Sequence, residues 1–134
     1  EFRPDGFFIT GDMAKMSVNG RITIVGRSRD LVISGGLNVY PKEIEDCLNQ
    51  LPDISESAVI GIPHADFGEA LLAFIVCKSE ARAGEQAIIN ALRMELAGFK
   101  IPRRIIRLDR LPKNIMGKVQ KNILRKNYLA TFEN

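Results

Sequence analysis

The chain has 134 residues, of which 46% are apolar and 26% are charged. This length and composition suit one globular domain with a single core, and they exclude collagen-like and intrinsically disordered chains. The formal net charge is only +3, but ten of the 19 Lys and Arg residues lie between positions 100 and 126, where the one acid is Asp109. A basic end on an acidic remainder predicts an anionic partner.

The first 29 residues predict a β-hairpin and a connector. Residues 13–18 and 21–25 flank Asn19-Gly20, a dipeptide that suits a tight hairpin turn. The charged run 26–30 reads as a connector, and we place a domain boundary at Arg29. Residues 1–29 are then the end of a larger preceding domain, and residues 30–134 form a second, mobile domain.

Residues 30–134 predict an α+β domain with the element order β-α-β-β-α-β-α. The predicted strands are 31–33, 57–62, 71–77 and 105–108, and the predicted helices are 41–49, 85–97 and 121–130. Pro41 suits the first turn of a helix, and Gly98 suits the end of one. The helices carry apolar stripes (Ile44 and Leu48; Ile88, Leu92 and Leu96; Ile123, Leu124 and Tyr128). The order predicts a compact, mainly antiparallel sheet covered by helices.

A polar bend is predicted over 63–69, and it contains the single histidine, His64. We expect His64 to be a loop residue, and Cys47 and Cys77 to be packing residues inside regular elements. Their spacing indicates no metal or redox site, and we expect a reduced, cytoplasmic setting. No apolar run approaches the roughly 20 residues that cross a bilayer. Because the chain begins with Glu1 rather than Met, we expect it to be part of a longer polypeptide.

The most informative stretch is 111–121, in which Pro112-Lys113 and Gly117-Lys118 enclose a predicted turn. A glycine beside a lysine lets the backbone approach a ligand, and the compact ammonium then meets a phosphate or carboxylate. Taken alone, Lys118 is better explained as a solvated lysine in a basic tail. Lys113 is expected to be a surface charge or to steer phosphates, not to act as a catalyst.

Four stretches, in this order, resemble the C-terminal part of the adenylate-forming superfamily of acyl-CoA synthetases, luciferases and peptide-synthetase adenylation domains. They are Thr10-Gly11-Asp12, the run 26–30, the run from Ser34-Gly35-Gly36 to Glu45, and Pro112-Lys113 with Gly117-Lys118. Gly61-Ile62-Pro63 and Phe67-Gly68-Glu69 extend the resemblance over nearly the whole chain. The residues within these motifs are most similar to those of malonyl-CoA synthetases and related acyl-CoA synthetases.

The resemblance implies a two-step reaction on a carboxylic acid, such as malonate or a related short acid. The acid first forms an acyl-adenylate with ATP, and coenzyme A then displaces AMP to give a thioester. Mg²⁺ is expected with ATP, but its ligands are not in this chain. In the family, the C-terminal domain rotates on a hinge between the two steps and presents a different face to the active site.

The resemblance also assigns roles to individual residues. Lys118 matches the catalytic lysine, Asp12 the acid that binds the ribose hydroxyls of ATP, and Arg27 a nucleotide-contacting arginine. Arg29 is at the hinge, where the family commonly has aspartate or lysine. Gly35 and Gly36 match the loop that lines the pantetheine tunnel. Each has a simpler alternative: Asp12 could cap a turn, the two arginines could belong to a charged connector, and the glycines could merely end a strand.

Three functions therefore stand side by side. The chain is the C-terminal part of an acyl-CoA synthetase, or part of a peptide-synthetase adenylation unit that loads a carrier protein, or a basic nucleic-acid-binding module. The nucleic-acid-binding hypothesis is weakened because the segment around Lys118 lacks the interleaved aromatic residues on which bases stack. The resemblance puts the phosphate loop and acid pocket upstream of Glu1, so we expect the chain alone to be inactive and to work with that missing domain. It also predicts a lysine acetyltransferase that acts on Lys118.

Overall fold

The computed structural model describes residues 12–16, 22–27, 30–78 and 84–132, and for the first two ranges it describes the backbone only. The seven strands are β1 (Asp12–Met16), β2 (Ile22–Arg27), β3 (Val32–Ser34), β4 (Leu37–Val39), β5 (Ile54–His64), β6 (Gly68–Cys77) and β7 (Arg104–Arg107). The three α-helices are α1 (Pro41–Asn49), α2 (Glu85–Arg93) and α3 (Lys121–Asn127), and a short 3-10 helix spans Gly98–Lys100.

Strands β1 and β2 form a separate antiparallel pair, as the sequence predicts. The register shifts between Met13 and Ala14, and Asp12 is the partner of Arg27. The predicted turn at Asn19-Gly20 lies outside the described residues, as does the predicted boundary at Arg29. The predicted connector is shorter than expected, because Gly26 and Arg27 are part of β2.

The remaining five strands form one sheet with the hydrogen-bonded order β4-β3-β6-β5, in which β7 pairs with β6. The β5–β6 pair is a long antiparallel hairpin that runs from Ile54 opposite Cys77 to His64 opposite Gly68. The sheet is mainly antiparallel, as predicted, but β7 runs parallel to β6 from Arg104 to Arg107. The fold class is therefore confirmed as α+β.

Helices cover both faces of this sheet. Successive side chains of β6 point to opposite sides, and because those on both sides are apolar, both faces need to be buried. Leu71, Ala73 and Ile75 pack on one side with the apolar stripes of α1 and α2. Leu72 and Phe74 pack on the other side with Leu124 of α3. The predicted stripes of the first two helices are confirmed, since Ile44, Leu48, Ile88, Leu92 and Leu96 are all buried.

The structure corrects several element boundaries. A three-residue strand, β4, follows the Gly35-Gly36 turn and was not predicted, and the predicted bend at 63–69 shrinks to a turn at 65–67. His64 is consequently the last residue of β5, not a loop residue. Helix α2 ends at Arg93 and α3 at Asn127, each earlier than predicted, and Ile123 is exposed. Among the described helices, none is long and apolar enough to cross a membrane.

Candidate functional site

The predicted lysine turn is a small β-hairpin, which we call the lysine hairpin (residues 112–120). Its two arms meet in an antiparallel bridge between Lys113 and Val119. Gly117 has φ = +83°, a conformation that residues with a Cβ rarely adopt. Its amide donates to the carbonyl of Asn114 over 3.0 Å. The turn that the sequence predicted is therefore confirmed, and Gly117 is required by its backbone conformation.

Asn114 fixes the backbone of Lys118 from both sides. The Lys118 amide donates to Asn114 Oδ1 over 2.9 Å, and the Asn114 amide donates to the Lys118 carbonyl over 2.9 Å. The Lys118 side chain is exposed. Within the described ranges, no carboxylate lies within ion-pair distance of its ammonium. Lys118 thus combines a rigid backbone with a cation that is available to a ligand.

Other basic side chains around the hairpin are already neutralised. Lys113, which belongs to the same hairpin, is paired with Glu56 of β5, so the sequence's view of it as a non-catalytic surface charge is consistent with its contacts. The further pairs are Lys121 with Glu45 (2.9 Å), Arg125 with Asp30 (3.6 Å), Lys42 with Asp46 (2.9 Å) and Lys100 with Glu43 (2.9 Å). Four of the ten basic side chains between positions 100 and 126 (Lys100, Lys113, Lys121 and Arg125) are therefore paired with acids.

Lys118 borders an open cleft of about 760 Å³ between the lysine hairpin, α1, β5 and α3. Most of the residues that line it have polar side chains, among them the amides of Asn49, Asn114 and Asn122. The volume is within the range of small-molecule sites. An anion that entered this cleft would meet the ammonium of Lys118 as a charge not already engaged by an acid.

Gly35 and Gly36 form the turn between β3 and β4, with φ = +58° and +81°. Two successive positive φ values are typical of the type I′ hairpin turn, and they explain the glycine pair by conformation. Space is a weaker reason, since a Cβ on Gly36 would meet no atom within 4 Å. Ile33 and Leu37 beside the turn are about half exposed (50% and 48%), so the turn presents backbone and apolar surface without charge.

An aromatic and cationic cluster supports this turn from behind, and the sequence reasoning assigned no role to it. The Gly35 amide donates to the Phe67 carbonyl over 3.0 Å. The Phe67 ring lies 4.7 Å from the His64 ring and 4.3 Å from the Arg103 guanidinium. His64 Nδ1 in turn accepts the amide of Asp66 over 3.1 Å. The signal was present in the motif Phe67-Gly68-Glu69, but Arg103 is too distant in sequence to be linked with it.

The remaining predicted site residues are only partly placed. Asp12 and Arg27 are direct partners across the β1–β2 pair, and the structure describes only the backbone of both. Arg29 lies outside the described residues. The four predicted cofactor-binding residues and Lys118 therefore fall in three places: the β1–β2 pair, the β3–β4 turn and the lysine hairpin.

The other candidate groups remain structural. Cys47 and Cys77 are free thiols at the border of the core, as predicted. Burial raises the pKa of the Cys47 thiol, and the nearby carboxylates of Glu95, Glu43 and Asp46 raise it further. Across the part of the chain that the structure describes, no group of three His, Cys, Asp or Glu side chains could hold a metal ion.

Comparison with known proteins adds a family match. The family model for the AMP-binding enzyme C-terminal domain matches residues 43–118, more than half of the chain. The structure of ATP-bound MatB from Rhodopseudomonas palustris superposes with a TM-score of 0.88 at 51% identity, covering 99% of this chain and 26% of that one.

Two curated relatives show the range of enzymes that carry a similar domain. The long-chain-fatty-acid–CoA ligase FadD13 of Mycobacterium tuberculosis is 40% identical over 127 residues, which cover 95% of this chain and 25% of the relative. Triostin synthetase I of Streptomyces triostinicus is 44% identical over 125 residues, which cover 92% of this chain and 24% of the relative. The chain thus spans about a quarter of the length of the proteins that it matches.

Proposed function

Because the chain belongs to the family of AMP-binding enzyme C-terminal domains, we propose that it is the mobile lid of an ATP-dependent acyl-CoA ligase. The observation that carries this proposal is Lys118, whose backbone is held by the Gly117 turn and by Asn114, and whose ammonium is exposed and unpaired within the described ranges. The lysine is at the edge of a cleft, as a ligand-binding cation must be.

Lys118 would act in the first half-reaction. A carboxylate oxygen attacks the α-phosphorus of ATP, the bond to the bridging oxygen breaks, and pyrophosphate leaves. The two reactants are both anions, and negative charge builds on the α-phosphate oxygens during attack. An ammonium held at that point screens the repulsion and stabilises the developing charge, and its fixed backbone reduces the cost of ordering it.

Asp12 and Arg27 would hold the nucleotide. A carboxylate accepts hydrogen bonds from both ribose hydroxyls, and an arginine binds phosphate or base oxygens. Their pairing across the β1–β2 ladder supports a common site. Mg²⁺ would accompany the phosphates of ATP. The described residues do not fit a metal site, so its ligands are proposed to belong to the preceding domain.

The β3–β4 turn would act in the second half-reaction, in which the coenzyme A sulfur attacks the acyl carbonyl and AMP leaves. Gly35 and Gly36 present an uncharged surface that suits the narrow pantetheine chain. The neighbouring Phe67 and Arg103 offer a flat ring and a cation 4.3 Å apart, which suits the base and phosphates at the other end of coenzyme A.

The positions of the two turns support our proposal of a rotation between the steps. In the hydrogen-bonded order of the sheet, β4 and β3 are at one end and β5, to which Lys113 is paired, is at the other. A rigid domain would present them to one active site in turn. We place the hinge at Arg29, with residues 1–29 belonging to the preceding domain and residues 30–134 to the lid.

The resemblance to malonyl-CoA synthetases suggests malonate or a related short acid as the substrate. The missing N-terminal domain would supply the phosphate loop and the acid pocket, so the 134 residues alone should release no pyrophosphate from ATP.

We further propose a cytoplasmic enzyme, and a lysine acetyltransferase that inactivates it by removing the charge of Lys118. Peptide mass mapping after acetylation tests this last point, which modification confined to other lysines contradicts.

A second candidate is an adenylation unit that transfers its acyl group to a carrier protein. The similarity to Triostin synthetase I favours it. In this candidate the first half-reaction and the role of Lys118 would be the same, and only the acceptor of the acyl group would differ. A nucleic-acid-binding module has less support. The charges of Lys100, Lys113, Lys121 and Arg125 are already paired within the domain, whereas binding a phosphate backbone needs them free.

The deciding experiment measures the two half-reactions separately in the complete ligase that carries this chain. Pyrophosphate release is followed with candidate acids, and thioester formation is followed from a supplied acyl-adenylate with either coenzyme A or a carrier protein. Lys118→Ala should lower adenylation by about 100- to 1,000-fold and leave thioester formation largely intact.

Lys126→Ala is the matched control, since Lys126 is also an exposed lysine near the end of the chain. It should leave both half-reactions unchanged. An equal loss of both half-reactions in Lys118→Ala would contradict the division of roles. Transfer to a carrier protein in place of coenzyme A would select the second candidate.

A further inference from the structure

Glu45 and Lys121 form the most buried of the ion pairs that the structure describes. Lys121 Nζ lies 2.9 Å from Glu45 Oε2, and the two side chains are only 16% and 18% exposed. Glu45 lies in the seam between α1 on one face of the sheet and α3 on the other.

The seam is the open edge of the sheet. Strand β5 is the last in the hydrogen-bonded order, so its outward amides have no strand to pair with. Glu45 Oε2 accepts one of them, the amide of the fully buried Val59, over 2.9 Å. One carboxylate oxygen therefore joins the edge of β5 to the first residue of α3.

The Glu45–Lys121 pair is one of the contacts that hold the lysine hairpin on the domain, beside the packing of Val119 against the core cluster around Phe74. Ile115 and Met116 at its tip are fully or almost fully exposed, and its amide hydrogen bonds are largely internal to the hairpin. Its first arm is tied to β5 by Lys113 and Glu56, a pair more exposed than that of Lys121. Its second arm leads directly into Lys121, three residues after Lys118.

We propose that Glu45 and Lys121 are positioning residues that hold Lys118 in its productive orientation for adenylation. This inference rests on the proposed function. Lys121 does not itself contact the substrate, because its charge is engaged by Glu45. A pair largely shielded from water contributes little net stability, but each partner fixes the other, since loss of one leaves a poorly solvated charge without its counter-ion.

The test uses the complete ligase with Lys121→Met, Lys121→Arg and Glu45→Gln. Lys121→Met keeps the length of the side chain and removes its charge, and it should lower the kcat of adenylation by about 10- to 100-fold through misplacement of Lys118. The KM for ATP and thioester formation from a supplied acyl-adenylate should stay near wild type. Lys121→Arg should restore most of the rate.

Glu45→Gln separates the two contacts of the carboxylate. The amide oxygen of glutamine can still accept the Val59 amide, so the edge of β5 stays satisfied while the attraction to Lys121 is lost. Adenylation should fall in the same direction as in Lys121→Met, but less. Unchanged adenylation in Lys121→Met, or an equal loss of both half-reactions, would overturn the proposal, since the pair would then be idle or merely structural.

Lys100→Met is the matched control. It breaks the other 2.9 Å pair between a lysine and a glutamate of α1, that of Lys100 with Glu43, which does not touch the hairpin. It should leave adenylation unchanged. Lys118→Ala in the same assay keeps the two hypotheses apart. If Lys118→Ala removes adenylation and Lys121→Met does not, only the positioning role fails, whereas full activity of Lys118→Ala ends both.

Discussion

The lysine hairpin and the β3–β4 turn are both tight turns in which glycine adopts a positive φ, yet they present opposite chemistry. Gly117 is followed directly by Lys118, whose ammonium has no acidic partner among the described residues, and the turn is closed by Asn114. Gly35 and Gly36 carry no charge, and their turn is anchored to the carbonyl of Phe67. The same backbone device thus exposes a cation at one place and a bare, neutral backbone at the other.

Under the proposed function, this difference would let one small domain serve two half-reactions. Adenylation joins two anions and needs a positive charge. Thioester formation brings in a long neutral thiol and needs a surface without obstruction. Neither turn could replace the other, because a lysine side chain would block the second surface and a glycine pair would supply no charge for the first.

After Lys118→Ala, the next largest effect that would sharpen this comparison is expected from Gly36→Val in the complete ligase. A valine at φ = +81° is strained and places a branched side chain where the structure leaves open space. Thioester formation from a supplied acyl-adenylate should fall by about 10- to 100-fold, with adenylation retained. The control is Gly84→Ala, since Gly84 has φ = −72° and no neighbour within 4 Å of an added Cβ. Loss of adenylation in Gly36→Val would erase the contrast between the two turns.

Gly61 gives a glycine whose role is space, not conformation. A Cβ there would lie 2.7 Å from Val32 Cγ1 and 2.8 Å from Glu69 Oε2. Gly61→Ala should therefore lower the free energy of unfolding by about 1–3 kcal/mol through overpacking, as measured by urea denaturation. A free energy of unfolding equal to that of the wild type would show that Val32 and Glu69 can shift away from residue 61 without loss of stability.

Lys113→Met should have a smaller effect and tests whether burial distinguishes the two ties of the lysine hairpin. The Lys113–Glu56 pair is more than one-third exposed on both sides. Water screens such pairs, so the free energy of unfolding should change by less than about 1 kcal/mol. Adenylation should stay near wild type, unlike in Lys121→Met. A loss of adenylation as large as in Lys121→Met would mean that the two ion pairs contribute equally to adenylation despite their different exposure.

The smallest effect concerns Cys47, which lies away from both turns. Burial and neighbouring acids raise the pKa of its thiol, so the folded chain holds less thiolate than the unfolded chain at about pH 8. Iodoacetamide should modify Cys47 more slowly in the native protein than in urea. Because the thiol of the unfolded chain ionises at a lower pH, the contribution of Cys47 to the free energy of unfolding declines as the pH rises past its ordinary pKa. Equal alkylation rates would contradict this.

Sequence patterns predicted most of the fold where the local signal was strong. Pro41 and the stripe of Ile44 and Leu48 placed α1 at its observed bounds. Weak signals failed for physical reasons. Strand β4 has only three residues, two of them exposed, so it lacks an apolar pattern. The last turn of the predicted second helix unwinds after Arg93, although Leu96 still reaches the core.

The amino-acid sequence by itself determined the α+β class, the helix stripes, the glycine turns and the family resemblance, because each depends on residues close together in the chain. Only the tertiary structure decided which charges are free. The pairs Lys121–Glu45, Lys113–Glu56 and Arg125–Asp30 join residues more than 50 positions apart. Which lysine of a basic segment remains available to a ligand depends on the acids that folding brings beside the others.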